Sequence, residues 1–343
     1  MILFRADGNK TIGSGHVMRC LSIADAFRKR KQNCSFVVAD DSFAGIIKQR
    51  GYNVIILGTD YQEMESEISL MRKIIDDLDV DKVIVDSYFV TENYLAAVKS
   101  MAELIYIDDL AAFAYPVNSI VNYNVYGTED DYVKLYENSN IDLPNLFLGM
   151  KYAPLRDEFK RVNKKNVAKC CRNILISTGG ADSLHLASEM VRFINEKNVK
   201  EYIFHFVLGA MNQDIEKIKE LAEELNNVRL HINVTNMQEL MCSCDIAVSA
   251  AGSTLYELCA CGVPTITYVL ADNQISGAKA FEKQRTMVYL GDLRYCENKA
   301  EKVIAAVNQL ACDCFARKQL STRMIELIDG CGAERLVDKL LCF

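Results

Sequence analysis

Excess positive charge, long apolar runs and metal-ligand spacings are all scarce in this sequence. Lysine and arginine number 39 against 46 aspartates and glutamates, a net charge of −7, and the pI is about 5.3. A basic nucleic-acid surface and a polybasic membrane patch are therefore not expected. No run approaches the roughly 18 apolar residues of a membrane span. The N-terminus enters an apolar strand and then meets Arg5 and Asp7, unlike a secretion signal, so stable membrane insertion is not expected. There are thirteen cysteines but only four histidines. The close cysteine pairs (Cys170-Cys171, Cys242 with Cys244, Cys259 with Cys261, Cys312 with Cys314) are adjacent or CxC, without the CxxC step of zinc knuckles. They read as small buried apolar residues of a reducing compartment, so a cytoplasmic protein without metal or cofactor is expected. Neither GxGxxG nor GxxxxGK[ST] occurs, which leaves a dinucleotide or ATP site unsupported.

What is present is alternation. Half the residues are hydrophobic and a quarter charged, as in a globular protein, and the length predicts two domains of about 150 to 170 residues. Short β-branched or aromatic runs at 35–38, 53–57, 82–85 and 104–107 are separated by helical stretches at 43–50, 62–78 and 92–101. Strand–helix alternation implies right-handed crossovers and a parallel sheet covered on both faces. A basic, weakly periodic segment at 156–172 reads as a linker. The alternation then restarts, with strands at 173–177, 202–208, 228–232, 246–248 and 265–269. The expected division is an N-terminal α/β domain at 1–155, the linker, a second α/β domain at 173–325, and a helical tail at 326–343 free to cross back onto the first domain.

The chain is organised around residues 2–27. Ile2-Leu3-Phe4 reads as a buried strand, Gly13-Ser14-Gly15-His16 as a loop, and Val17, Leu21, Ala24 and Arg28 as one face of a helix. His16 therefore sits in the first turn. Free amides and the positive end of the helix dipole favour a phosphate or a developing negative charge there. The dipole also favours neutral imidazole, the form that a general base needs. The alternative is a tight turn at Gly13 and Gly15 with His16 a polar residue near a cap. Arg19 reads as a solvated helix residue.

Further polar groups follow strands. Asp86-Ser87-Tyr88 and Asp108-Asp109 lie beyond expected strand ends, where open α/β sheets bind ligands, and each is equally suited to a cap or turn. In the second half, Gly252, Ser253 and Thr254 open a helix after a strand, and Glu257 lies one turn inside it. Amides and hydroxyls so placed suit a diphosphate, while the carboxylate can accept two ribose hydroxyls. Gly262 and Pro264 close that helix. Residues 178–183, with Gly179 and Gly180, form a second glycine-bearing turn suited to the same pyrophosphate.

The run 249–264, followed by Ala271-Asp272-Asn273-Gln274, resembles the nucleotide-binding region of glycosyltransferases with two facing Rossmann-like domains, the GT-B fold, especially the lipid-II-forming N-acetylglucosaminyltransferases. Over nearly the whole chain, Arg5-Ala6-Asp7, Ile12-Gly13-Ser14-Gly15-His16, Asp86-Ser87-Tyr88, Tyr152-Ala153-Pro154-Leu155-Arg156, Gly179-Gly180-Ala181-Asp182 and Asn273-Gln274 resemble, in order, the UDP-sugar hydrolases of pseudaminic acid biosynthesis. That resemblance implies an α/β protein of two facing Rossmann-like domains with a cleft between them. It implies His16 as catalytic base, with Gly13, Gly15, Gly179, Gly180, Gly252, Ser253, Thr254 and Glu257 on UDP. On the sugar side the expected residues are Arg5, Asp7, Asp86, Tyr88, Asp109, Arg156, Asn273 and Gln274, with Tyr88 and Asn273 placed there by the resemblance. Asp7 and Asp109 are expected to bind sugar groups or to orient His16, and Arg5 and Arg156 to supply positive potential.

The activity implied is metal-independent hydrolysis, with inversion, of a UDP-linked diacetamido-trideoxy sugar, releasing UDP and free sugar. The nearest alternative is an inverting UDP-sugar glycosyltransferase of surface or spore-coat polysaccharide biosynthesis. From a different class, a nucleotide-sugar binding protein without turnover is also consistent. The expected partner is the UDP-sugar, and nothing in the sequence sets an oligomeric state.

Overall fold

Runs of Val, Ile and Phe that are apolar on both faces have to lie between two layers, and the computed structural model places them there. It describes residues 1–9, 11–162, 166–209 and 211–342. The chain divides into two units, Met1–Arg156 with Cys331–Phe343, and Asp157–Gly330.

The first unit holds strands β1 (Ile2–Ala6), β2 (Cys34–Val38), β3 (Asn53–Ile56), β4 (Lys82–Asp86), β5 (Glu103–Ile107), β6 (Ser119–Asn122) and β7 (Asn145–Leu148). They form one sheet in the order β3-β2-β1-β4-β5-β6-β7, with every pairing parallel. Alternate residues serve opposite faces. Leu3, Val37 and Val83 join Met71 and Ile75 of the helix Ile68–Asp77 in one core. Phe4 stacks on Phe36, centroids 4.9 Å apart, and meets Phe27 of the helix Gly15–Lys29 edge-on. The helix Gly332–Leu340 also belongs to this unit. It buries Leu336 and Val337 and pairs Glu334 with Lys29, the last residue of the helix Gly15–Lys29, and Asp338 with Arg30 just after it. Its approach requires glycine at 332, where a Cβ would lie 2.2 Å from the Ala153 carbonyl oxygen.

The second unit holds β8 (Asn173–Ser177), β9 (Ile203–Leu208), β10 (Val228–Ile232), β11 (Ile246–Ala250), β12 (Thr265–Val269) and β13 (Val288–Asp292). Their order is β10-β9-β8-β11-β12-β13, again all parallel. Its core is built from Ile174, Ile176, Phe204, Phe206, Val248 and Ile266 against Met190 and Ile194 of the helix Leu186–Glu196, and Val303 and Val307 of the helix Lys299–Cys312.

Both sheets therefore follow the order 3-2-1-4-5-6 in their own numbering, the first with an added edge strand. In each, the connections that leave the first and fourth strands diverge to opposite faces, opening a crevice at their carboxyl ends. That end of the β1–β4 pair and of the β8–β11 pair is where ligand chemistry is to be sought.

Some details differ from expectation. The helix expected at 62–78 begins as a 3-10 turn, Met64–Glu67, before Ile68–Asp77. Two helices, Lys299–Cys312 and Cys314–Leu327, part at Asp313 ahead of the expected tail, whose own helix begins only at Gly332. The segment 156–172, expected as a linker, is tied to the second unit from Asp157 onward. Phe159 is fully buried, and the buried Arg317 donates to the carbonyls of Ala168 and Lys169. Its residues 163–165, and the last residue of the expected tail, lie outside the described residues. Among the described residues no helix is long and apolar enough to cross a membrane.

Candidate active site

After β1 the chain makes a small pinched loop before the helix Gly15–Lys29. Asn9 and Gly13 exchange both backbone hydrogen bonds, and the Asn9 side-chain oxygen accepts from the amides of Thr11 and Ile12 at 2.8 and 3.0 Å. Gly13 has φ +77°, a conformation that disfavours side chains. The helix begins without a side-chain cap from Ser14 and without an acid in its first turn. A Cβ at Gly13 or Gly15 would meet nothing within 4 Å, so the backbone is open to approach. Uncapped first-turn amides behind open glycines form an anion seat.

His16, in that first turn, is 5% exposed. Its Nδ1 lies 2.5 Å from Oδ1 of Asp86, the last residue of β4, the strand beside β1. A carboxylate only accepts, so Nδ1 carries the proton and donates. Arg19 Nη2 also approaches Nδ1, at 3.2 Å; a nitrogen that donates to Asp86 cannot accept from a guanidinium, so this approach is a contact rather than a hydrogen bond. The tautomer leaves the lone pair on Nε2, which has no hydrogen-bond partner among the described residues.

Arg19 grips Asp86 with two prongs, Nε to Oδ2 at 2.6 Å and Nη2 to Oδ1 at 2.5 Å. On its other side it reaches Asp109 and the Tyr123 hydroxyl. Asp109 further accepts from the Tyr88 hydroxyl at 3.0 Å and from Asn124 Nδ2 at 2.6 Å. The Tyr88 ring meets the His16 ring edge-on, centroids 4.6 Å apart. Burial opposes the charge on Asp86, but Arg19 and His16 outweigh it and hold the carboxyl well below the usual carboxylate range. Burial, reinforced by Asp109, pushes the Tyr88 phenol up.

The expected sugar contacts Arg5, Asp7 and Asp86 are therefore corrected, and Asp109 takes its alternative place, in the network around His16. Arg5 is fully buried; it pairs with Glu67 through Nε at 2.8 Å and Nη2 at 2.9 Å, and with Asp7 at 2.5 Å. A guanidinium so enclosed holds the floor of the unit and has no face for a sugar. Asp7 is engaged by Arg5 and by the Ala39 amide at 2.7 Å. The Asp86 side chain is 0% exposed, and both Asp109 oxygens are taken by protein donors, so these carboxylates serve the network around His16. Tyr88 is half-buried and remains beside the imidazole, while Arg156 is half-buried at the end of the unit's first segment. Arg19, expected as a solvated residue, is the centre of the network. Its side chain is 10% exposed because its charge finds carboxylates 67 and 90 residues away in sequence, a pairing that no local pattern signals.

In the second unit the expected nucleotide residues gather at the carboxyl edge of three neighbouring strands. Gly179, with φ +83°, and Gly180 follow β8; both are exposed. The loop is held from behind, since Asp182 accepts from the amides of Leu186 and Ala187 at 3.0 and 2.9 Å, and a Cβ on Gly209 would strike the Gly180 carbonyl oxygen. After β11, exposed Gly252 and Ser253 lead into the helix Thr254–Cys261 with no side-chain cap. Glu257 lies one turn in and is half-buried. The helix closes at Gly262 in the left-handed conformation. After β12, Asn273 is exposed within the short turn Asp272–Gln274, and Gln274 accepts from the Leu270 amide at 3.0 Å. Backbone amides, hydroxyls and side-chain amides thus line this edge, the donor set for a nucleoside diphosphate. Thr178 Oγ1 and Tyr268 Oη are buried without a hydrogen-bond partner among the described residues.

Two parallel sheets of this order, one in each unit, define a GT-B protein with two Rossmann-like domains. The crystal structure of MurG from Acinetobacter baumannii matches with a TM-score of 0.70, covering 100% of this chain and 99% of that one at 13% identity. Residues 173–327 match the glycosyltransferase family 28 C-terminal domain. Among curated proteins, the chain is 26% identical over 263 residues to the UDP-2,4-diacetamido-2,4,6-trideoxy-beta-L-altropyranose hydrolase of Campylobacter jejuni, covering 75% of this chain and 86% of that protein. It is 26% identical over 297 residues to the spore coat polysaccharide biosynthesis protein SpsG of Bacillus subtilis, covering 83% of this chain and 82% of that protein. A third relative, an uncharacterized protein of Methanocaldococcus jannaschii, is 27% identical over 279 residues, 78% of this chain, but the chain spans only 55% of its length.

Proposed function

We propose that this chain hydrolyses a UDP-linked diacetamido-trideoxy sugar at the anomeric carbon, with inversion and without a metal, releasing UDP and free sugar. The observation that carries the reading is the state of His16. Its Nδ1 is committed to Asp86 at 2.5 Å, and its Nε2 has no partner among the described residues. A water held by Nε2 gives up a proton as its oxygen attacks the anomeric carbon, and the bond from that carbon to the diphosphate oxygen breaks. The departing diphosphate gains negative charge. Amides at Gly179 to Ala181 and at Gly252 to Thr254, with the helix start at Gly15, are suited to stabilise it. Glu257 accepts the ribose hydroxyls, and Tyr88, Arg156, Asn273 and Gln274 are the side chains left for the sugar. The relative from Campylobacter jejuni, a hydrolase by name, supports the choice of substrate class. Thirteen free thiols suit the reducing cytoplasm.

The second reading, an inverting UDP-sugar glycosyltransferase, is favoured by the family 28 domain and by the spore coat relative. It differs only in what His16 deprotonates. Incubation with the UDP-sugar alone separates the two. Hydrolysis predicts stoichiometric UDP and free sugar at a rate indifferent to chelator, whereas release that begins only when a soluble acceptor is added overturns it.

A further inference from the structure

Arg19 has no assigned task in the proposed reaction, although its guanidinium is bonded to two carboxylates and a phenol. A guanidinium has five N–H donors, and the hydrogen bonds of Arg19 to oxygen run to Asp86, Asp109 and Tyr123. Nε and one Nη2 donor go to Asp86, at 2.6 and 2.5 Å. Nη1 serves Asp109 at 3.1 Å and the Tyr123 hydroxyl at 2.9 Å, and Nη2 lies 2.9 Å from the second Asp109 oxygen. The side chain is 10% exposed and enclosed by these protein partners, so whatever Arg19 does it does through its neighbours.

The charges around His16 can be counted element by element. The helix Gly15–Lys29 contributes Arg19 and Cys20, the end of β4 contributes Asp86 and Tyr88, the turn after β5 contributes Asp109, and the segment after β6 contributes Tyr123. Burial pushes the Cys20 thiol and the Tyr88 phenol up and the Tyr123 phenol up to about 12, so these three are uncharged in the ordinary range. One guanidinium is thus shared by two carboxylates. The set sums to −1 while the imidazole is neutral, and to zero when the imidazole holds a second proton.

We infer that Arg19 is the positioning residue for His16: it presents the Asp86 carboxylate to Nδ1 and cancels enough of the surrounding negative charge for Nε2 to stay free until the reaction delivers a proton. Without Arg19, two buried carboxylates would face the ring unopposed and keep a proton on it, which spoils a base. With Arg19 present, the one unbalanced negative charge welcomes the proton taken from water. The inference rests on the proposed role of His16 as base.

The test uses the full chain with Arg19→Gln, Arg19→Lys and Asp109→Asn. Circular dichroism checks folding. The pH dependence of kcat/KM is followed by UDP release from a UDP-linked diacetamido-trideoxy sugar, and the His16 imidazole is titrated by NMR without substrate. Removing a cation within about 4–6 Å moves a titration by about 1 to 3 pH units. Arg19→Gln should therefore move the acid limb of the rate profile and the His16 titration upward by about that much, so that the rate lost at lower pH is recovered at higher pH. Asp109→Asn should move both downward. Arg19→Lys keeps the charge and should leave the limb near its wild-type position while kcat falls, because a single ammonium cannot hold the fork. An equal loss at every pH in Arg19→Gln, or an unmoved His16 titration in both Arg19→Gln and Asp109→Asn, overturns the inference. Should Arg19→Gln not fold, Asp109→Asn alone decides by the direction of its shift. The underlying reading fails separately: if His16→Asn releases UDP like the wild type, His16 is not the base, whatever the NMR titration shows.

Discussion

The loop after β1 and the loop after β8 occupy the same place in the same topology, yet they are built from opposite materials. The first ends at an imidazole set in a buried web of charge, with His16, Arg19, Asp86 and Asp109 joined by hydrogen bonds of 3.1 Å or shorter. Beneath it lies a second buried ion cluster of Arg5, Asp7 and Glu67. The second loop is made of exposed glycines, and its one buried acid, Asp182, is spent on the first amides of the following helix. Side chains with tunable charge suit proton transfer, because their protonation responds to neighbours. Backbone dipoles cannot titrate and suit a ligand whose charge must be held constant. The duplicated architecture thus supports a division in which the first unit handles the proton and the second handles the nucleotide.

Mutations that separate the two regions can break that comparison. The largest effect is expected from His16→Asn: turnover should fall by about 10² to 10⁴ while UDP affinity, measured by calorimetry, stays at the wild-type value. Equal losses in both would mean that His16 binds nucleotide, erasing the contrast. Arg5→Met leaves Glu67 and Asp7 buried without their cation and should cost about 3 to 5 kcal/mol of stability, read by denaturant unfolding. Under refolding conditions UDP binding should be retained, and selective loss of sugar affinity in a stable variant would reinstate Arg5 as a substrate contact. Glu257→Ala is expected to weaken UDP binding by about 10- to 100-fold, the worth of one or two hydrogen bonds to a charged group, with kcat at saturation little changed. Normal UDP affinity in this variant removes the ribose assignment. The smallest effect is in acid. Because the folded Asp86 carboxyl is held below its usual range by Arg19 and His16 against the pull of burial, its stabilising contribution is complete above the unfolded value of about 3.9 and is lost as pH falls through the folded value. The stability gap between wild type and Asp86→Asn should narrow on acidification below about pH 4, and a gap that stays constant contradicts the charge-web description.

How much of this was legible beforehand depended on the range of the interaction. Central strands announced themselves, since Leu3-Phe4 and Ile246-Ala247-Val248 have to be buried on both faces. The edge strands β7 and β13 did not: Asn145 is exposed and Val288 is 37% exposed, so neither run carries a strong apolar signature. Glycine loops were legible because Gly13, Gly179 and Gly262 adopt a backbone that disfavours other residues. The position of His16 in a first turn followed from local periodicity. Its partnership with Asp86 did not, as the two are 70 residues apart and meet only because β1 and β4 pair. The same blindness sent Arg5 to the sugar and Arg19 to solvent. A charged residue near a glycine loop looks available until the sheet brings its counter-charge, and Glu67, which saturates Arg5, sits in a 3-10 turn that no pattern marked.

The most direct test of the central claim, that an imidazole in the first unit activates water against the anomeric carbon, is mass spectrometry of the products formed from a UDP-linked diacetamido-trideoxy sugar in ¹⁸O-water. One labelled oxygen in the free sugar and none in UDP is the predicted result. Label in the phosphate of UDP would place bond cleavage at phosphorus and contradict it.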